Sequence, residues 1–201
     1  MKQVGIVIAT FGDKEWRGRG EDLYWRTYHD FAAVADVTWC HGESLGQARN
    51  EGADRLDTEW LIFLDADDVL EPGYVEAMLT GTELLRQPAT RGFYSGGEVD
   101  DEANVIPPRN LLRSNHLVIG TMCNHELFDM VGQFDTELGA LEDWDLWIRM
   151  YLAGANYEAI PEAVYWVFVN DHESRNSPTG EHDRAYREIS RRYRNARRVD
   201  T

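Results

Sequence analysis

The stretch "WLIFLDADDVLEPGY" at residues 60–74 ends an apolar run on three acids in four positions, Asp65, Asp67 and Asp68. Carboxylates that close repel and raise one another's pKa unless something positive lies between them. The spacing therefore fits two arrangements, an acidic turn in water or a site for a divalent cation held by hard oxygen ligands. A second acidic group, "LEDWD" at 141–145, opens an amphipathic stretch that runs to Gly154. Acids in the first turn of a helix are favoured by its dipole and by capping, which accounts for Glu142 and Asp143 being acidic without giving them a task.

The elements that must position these acids follow from the hydrophobic pattern. "VGIVIAT" (4–10), "ADVTWC" (35–40) and "EWLIFL" (59–64) are apolar, β-branched or aromatic runs that fit strands of a sheet covered on both faces. Helical stretches are expected over about 22–33, over 44–56 with Ser44 as cap, and over 71–85 with a proline in the first turn. Residues 12–22 read as a polar, glycine-bearing loop, so that the first helix is expected to be short. The alternation of strand and helix predicts an α/β sheet with mostly parallel strands, and in such sheets ligands bind beyond the carboxyl ends of the strands. The acids at 65–68 and the segment "TFGD" at 10–13 stand at such ends. Further on, 91–99, 116–123 and 163–170 read as strands, 124–132 as a short helix and 141–154 as a strong one.

Composition sets the outer limits. The chain has 201 residues, 43% hydrophobic and 11% aromatic, enough for one globular domain with a real core. A net charge of −16 disfavours general binding to nucleic acid or anionic membranes. Two distant cysteines, Cys40 and Cys123, give neither a disulfide framework nor a zinc site, and are compatible with a reducing, cytoplasmic location. No apolar run is long enough for a signal-peptide core or a transmembrane segment. The end of the chain differs: "DRAYREISRRYRNARR" (183–198) carries seven arginines, with Tyr186, Ile189 and Tyr193 at helical spacing. One face of that tail can pack while the other is a solvated basic face or a contact for an anionic acceptor or surface.

Four segments together resemble the family 2 glycosyltransferases, which have the GT-A (nucleotide-diphospho-sugar transferase) fold: "VGIVIATFGD", "LGQARNEGADRLDTEWLIFLDADDVLEPGYVEAML", "MVGQFDTELGALEDWDLWIRMYLAG" and "HESRNS". The resemblance implies a Rossmann-like, mostly parallel central sheet flanked by helices. It places one catalytic domain at 1–180, with a nucleotide-binding half at 1–90 and an acceptor-side half at 91–180, followed by the basic tail at 181–201. It implies an inverting enzyme that moves a single sugar from a nucleotide-diphosphate sugar donor to an acceptor of unknown kind, whether glycan, lipid-linked, protein or modified nucleic acid.

The same resemblance distributes roles. Asp143 is the general base, with Glu142 orienting it or touching the acceptor. Asp67 and His172 are metal ligands for Mn²⁺ or Mg²⁺. Asp65, Asp68, Thr10, Phe11 and Arg49 lie at the nucleotide sugar, with Asn50 beside Arg49. Asp68 has a second reading as a cap for the segment that follows it. Trp144 falls on the acceptor side, and Gly132, Phe134 and Asp135 form a structural turn. The chain departs from the family after the second strand, where "TWCHGESLGQ" (38–47) lacks the usual aspartates that help hold the base. Glu43 could substitute, but nothing local requires it, and the nucleotide base is left open. Two alternatives remain: an inactive protein that binds nucleotide sugar, and a haloacid dehalogenase-like phosphatase with Asp65 as nucleophile. The second is disfavoured because both lysines, Lys2 and Lys14, precede the motif and because it leaves "EDWDLWIR" unexplained.

Overall fold

The computed structural model describes residues 2–94, 102–169 and 180–196. Strands β1 (Val4–Phe11) and β3 (Trp60–Asp65) are buried almost throughout, as continuous apolar runs require. β2 (Ala35–Gly42) and β3 lie on either side of β1, both parallel to it. Helices α1 (Lys14–Phe31) and α2 (Leu45–Ala53) join the three strands in sequence. Ser44 caps α2 as expected, its hydroxyl accepting from the Gln47 amide at 3.2 Å.

Most of the expected loop at 12–22 is instead the first half of α1. The helix begins at Lys14, with Asp13 Oδ1 accepting from the Glu15 and Trp16 amides at 3.0 and 3.3 Å. Gly18 and Gly20 gave the stretch its loop-like look, but Gly20 is there for a close approach. A Cβ at that position would meet Trp39 Nε1 and lie 2.6 Å from Thr10 Cγ2. The first helix is therefore long, at 18 residues, rather than short.

The second half departs further from the expectations. The sheet has seven strands in the order β2-β1-β3-β6-β5-β7-β4. β5 (Leu85–Tyr94) and β7 (Tyr157–Val169) form a long parallel pair, and β6 (Met122–Asn124) links β5 to β3 through short antiparallel ladders. β4 (Val69–Leu70) pairs antiparallel with β7. The helix expected at 71–85 is only α3 (Tyr74–Met78), and the strand expected at 91–99 starts six residues earlier, at Leu85. Pro88 obscured that strand. It has no amide hydrogen for the ladder, and the β5–β7 register shifts between Pro88 and Ala89. Residues 116–121 are irregular, so that expected strand shrinks to β6. The strand expected at 163–170 is the second part of β7.

Helix α4 (His125–Met130) follows β6, and α5 (Glu142–Leu152) buries Trp144, Leu146, Trp147, Ile148 and Met150. The core under β3 is aromatic, with Phe63 ring centroids 5.5 Å from Phe128 and 4.8 Å from Phe134. The tail forms α6 (Gly180–Arg192), which buries Ala185 and Ile189 and docks on α5. Tyr186 stacks on Trp144 at 5.6 Å, and Tyr193 donates its hydroxyl to Asp145 at 2.8 Å. The arginines of α6 are partly spent on acids of the same protein: Arg191 and Arg192 on Glu188, and Arg192 also on Asp135. Among the described residues no helix is long and apolar enough to cross a membrane.

Candidate functional site

The carboxyl ends of β1 and β3 and the first turn of α5 open on one cavity of about 400 Å³. Eight of the residues singled out in the sequence lie on its wall: Thr10, Phe11, Arg49, Asp65, Asp67, Asp68, Glu142 and Asp143. Parallel strands deliver Thr10, Phe11 and the three aspartates because their loops gather at one edge of the sheet, and α2 delivers Arg49. α5 delivers Glu142 and Asp143 from the opposite direction. His172 lies outside the described residues. Trp144 is not on the wall. It is buried, donates its indole N–H to the Leu111 carbonyl at 2.7 Å and stacks on Tyr186, so the structure gives it a packing position rather than an acceptor-side one.

Arg49 is the centre of the arrangement. Its side chain is 2% exposed, and its two terminal nitrogens donate to Asp65 Oδ1 at 2.6 Å and Glu142 Oε1 at 2.9 Å. The guanidinium also lies over the Phe134 ring at 5.1 Å. Its neighbour Asn50 exchanges two 3.0 Å hydrogen bonds with the backbone of Phe134, which fixes the turn at 132–135 against α2. Gly132 and Gln133 take positive φ there, 89° and 58°.

The three strand-end acids have different surroundings. Asp68 is buried and accepts from the Tyr165 hydroxyl at 2.7 Å and the Phe168 amide at 2.9 Å. It thus ties the β3–β4 turn to β7 and does not cap the segment that follows. Burial first, and then the charges of Asp65 and Asp67, push its carboxyl well above the usual range. Asp65 is half-buried against Arg49, and Asp67 is exposed on the cavity wall.

Asp143 is half-buried in the first turn of α5. Burial, followed by the charge of Glu142, raises its pKa to about 6, with Arg49 pulling the other way. Asn115 donates to its Oδ2 at 3.0 Å while accepting from the Leu117 amide at 3.2 Å. The residue before the helix, Leu141, takes a left-handed conformation at φ 58°, ψ 23° and offers no side-chain cap. The following Asp145 is fully buried and binds Arg149 at 2.8 Å, Tyr193 at 2.8 Å and Arg192 at 3.4 Å. Arg149 in turn holds the Val131 and Gln133 carbonyls at 2.7 and 2.6 Å.

Among the described residues no group of three His, Cys, Asp or Glu side chains could close around a metal ion. Asp68 is committed to β7 and one oxygen of Asp65 to Arg49. That donor set does not build a cage. It fits a hard divalent cation that takes one or two carboxylates and completes its shell with phosphate oxygens and water. Asp67, with Asp65 beside it, is placed for that contact.

Among the wall residues that escaped the sequence reading are Asn115, Trp16 and Tyr165. Asn115 sits in "RSNHL", which carries no pattern. Trp16 belongs to the stretch read as a loop. Tyr165 lies in an apolar strand run, where its hydroxyl had no visible partner.

Residues 34–90 match the model of glycosyl transferase family 2. No curated protein matches the sequence at a significant level. Among solved structures, S. aureus TarS 1–349 in complex with UDP-GlcNAc is similar over 98% of this chain and 67% of its own, at 15% identity and a TM-score of 0.67. TarS 1–349 alone matches with 16% identity, a TM-score of 0.63 and coverage of 98% and 66%. The longer S. aureus TarS structure matches with 16% identity, a TM-score of 0.64 and coverage of 98% and 40%. This chain thus spans about two thirds of the length of the shorter TarS structures. The matched segment runs from β2 through the acidic end of β3 into β5, and the sheet around it is that of the GT-A enzymes. Over residues 34–90 the chain is thus similar to glycosyl transferase family 2, and its fold is that of the TarS structures.

Proposed function

We propose that the protein transfers a single sugar, with inversion, from a nucleoside diphosphate sugar to an acceptor hydroxyl, with Asp143 as the general base. The observation that carries this reading is the shared cavity. The strand-end acids Asp65 and Asp67 and the helix-start acid Asp143 face one space from two directions, and Arg49 on the same wall binds Asp65 and the neighbouring Glu142. An inverting transfer needs those two kinds of acid on opposite sides of the sugar. Residues up to 90 form the donor half and 91–180 the acceptor half.

Asp143 suits its task. A carboxyl that titrates near 6 is ionised at neutral pH and still basic enough to take a proton in the transition state. Asn115 fixes the orientation of its Oδ2. The acceptor hydroxyl attacks the anomeric carbon, its proton passes to Asp143, and the bond to the diphosphate breaks. Asp67 would hold a Mg²⁺ or Mn²⁺ ion carried with the donor, which would supply Lewis-acid neutralisation of the charge that develops on the diphosphate. The similar TarS structures include complexes with UDP and UDP-GlcNAc, which makes UDP the first nucleotide to test.

The test is titration calorimetry of the protein with UDP, GDP and dTDP in the presence and absence of Mn²⁺. One nucleotide is expected to bind with metal, to bind at least tenfold more weakly without it, and to lose that metal dependence in Asp67→Ala. Absence of binding by every nucleotide under both conditions overturns the donor reading.

A further inference from the structure

We infer that Arg49 is a positioning residue, an internal strut that locks the donor-side acid Asp65 to the first residue of the base-bearing helix, rather than a ligand for the donor phosphates. Arginine in such a cavity is ordinarily read as a phosphate fork. Here both prongs are already taken, by Asp65 Oδ1 at 2.6 Å and Glu142 Oε1 at 2.9 Å, and the side chain is 2% exposed. The guanidinium lies over the ring of Phe134 at 5.1 Å, and the backbone of Phe134 is clamped by Asn50 of the same helix. A phosphate could reach Arg49 only by displacing a buried carboxylate, and an uncompensated buried charge is costly.

The strut connects three elements directly. Asp65 ends β3, Arg49 lies in α2, and Glu142 begins α5. Because Glu142 precedes Asp143 in the helix, fixing the one fixes the direction in which the other leaves the first turn. Lysine cannot replace this, since one ammonium does not span two carboxylates in a fixed fork. The strut also sets the electrostatics of the base. The charged groups acting on Asp143 are Glu142 and Asp65, which raise its pKa, and Arg49, which lowers it. Asn115 holds its Oδ2, and Asp67, Asp68, His116 and Tyr165 complete the titratable wall.

The inference rests on the proposed function only for its meaning in catalysis, so its test includes an arm that needs no substrate. Thermal stability is measured from pH 4 to 8 for the wild type, Arg49→Lys and Glu142→Gln, each paired with the same chain carrying Asp143→Asn. Within each pair the stability difference shows a step at the pH where Asp143 ionises. Arg49→Lys is expected to move that step upward and Glu142→Gln downward, each by about half a unit or more. A step that stays put in both variants, or moves the same way in both, overturns the inference. Should Arg49→Lys fail to fold, the double variant Arg49→Gln/Glu142→Gln, which leaves Asp65 as the one strut acid without its cation, takes its place. Its step is expected to fall between that of Glu142→Gln and the wild type.

The second arm is UDP binding with Mn²⁺. The strut predicts a dissociation constant within about threefold of wild type in Arg49→Lys, whereas a lost phosphate fork predicts a weakening of tenfold or more. A tenfold loss of UDP affinity with no movement of the step assigns Arg49 to the donor and ends the strut. If the wild type binds no nucleotide, the donor reading falls while the pH arm still decides on Arg49.

Discussion

Two acidic turns meet at the cavity, one at the end of β3 and one at the start of α5, and each distributes its three carboxylates in the same way. One acid in each anchors the scaffold, Asp68 to β7 and Asp145 to α6 and Arg149. One in each is bound by Arg49, namely Asp65 and Glu142. The third in each, Asp67 and Asp143, lies on the cavity wall, as do Asp65, Asp68 and Glu142. The turns differ in what meets the anchors. Asp68 meets a hydroxyl and an amide, both neutral, and its carboxyl is pushed well up. Asp145 meets two arginines and a tyrosine. The task of a carboxylate here follows from the partner that another element brings to it, and not from its place in the motif.

The largest effect expected from breaking this parallel is on turnover. Asp143→Asn keeps the hydrogen bond from Asn115 only after an amide flip and has no base to offer. Activity on the donor found by calorimetry should fall by about 10²–10⁴-fold with the fold intact by circular dichroism. An effect below tenfold would place the base elsewhere.

Next come the two anchors. Asp145→Ala leaves two arginines without their buried partner and should cost about 3–5 kcal/mol in urea unfolding. Asp68→Ala leaves only neutral donors unsatisfied and should cost about 1–3 kcal/mol. If Asp68→Ala proves the more damaging, the contrast drawn between the turns is wrong.

A smaller effect concerns pH. Between about pH 4 and 6 the folded protein holds a proton on Asp143 that the unfolded chain has already released. Stability contributed by this group therefore falls as pH rises through that window, and the ionised carboxylate is a net cost above it. Asp143→Asn should be more stable than wild type at pH 7, by on the order of 2 kcal/mol, and the advantage should vanish near pH 4. Over the same window the wild-type activity should rise with an acid limb near pH 6, which a rate–pH profile would show. The smallest change is Tyr193→Phe, which removes one of three donors to Asp145 and should cost about 1 kcal/mol.

The first half of the fold was legible because its strands are unbroken apolar runs between helices. The second half hid its strands behind local signals with another meaning. Pro88 argued against a strand that bulges around it, and Gly18 and Gly20 argued for a loop where a helix needs to approach Thr10 and Trp39. The site was legible wherever a family pattern carried it, as with Asp65, Asp67 and Asp143. Partnerships were not. Arg49 was read toward phosphate because its contacts with residues 16 and 93 positions away are invisible in a string of letters. Asn115 gave no signal at all, since a lone asparagine in an irregular segment has nothing to mark it.

Leu141 bears on any effort to engineer this protein. A leucine held at φ 58° stores on the order of 1 kcal/mol of backbone strain, and it does so one residue before the acids that face the cavity. Asparagine tolerates that conformation and can also cap the exposed helix amides, so a library screened for heat resistance alone would enrich Asn at 141. Such variants trade the leucine's packing on the core for an easier turn, and with it the stiffness that aims Asp143. Position 141 is thus where selection for robustness and selection for rate would part company, and winners of the first should be ranked by turnover before they are kept.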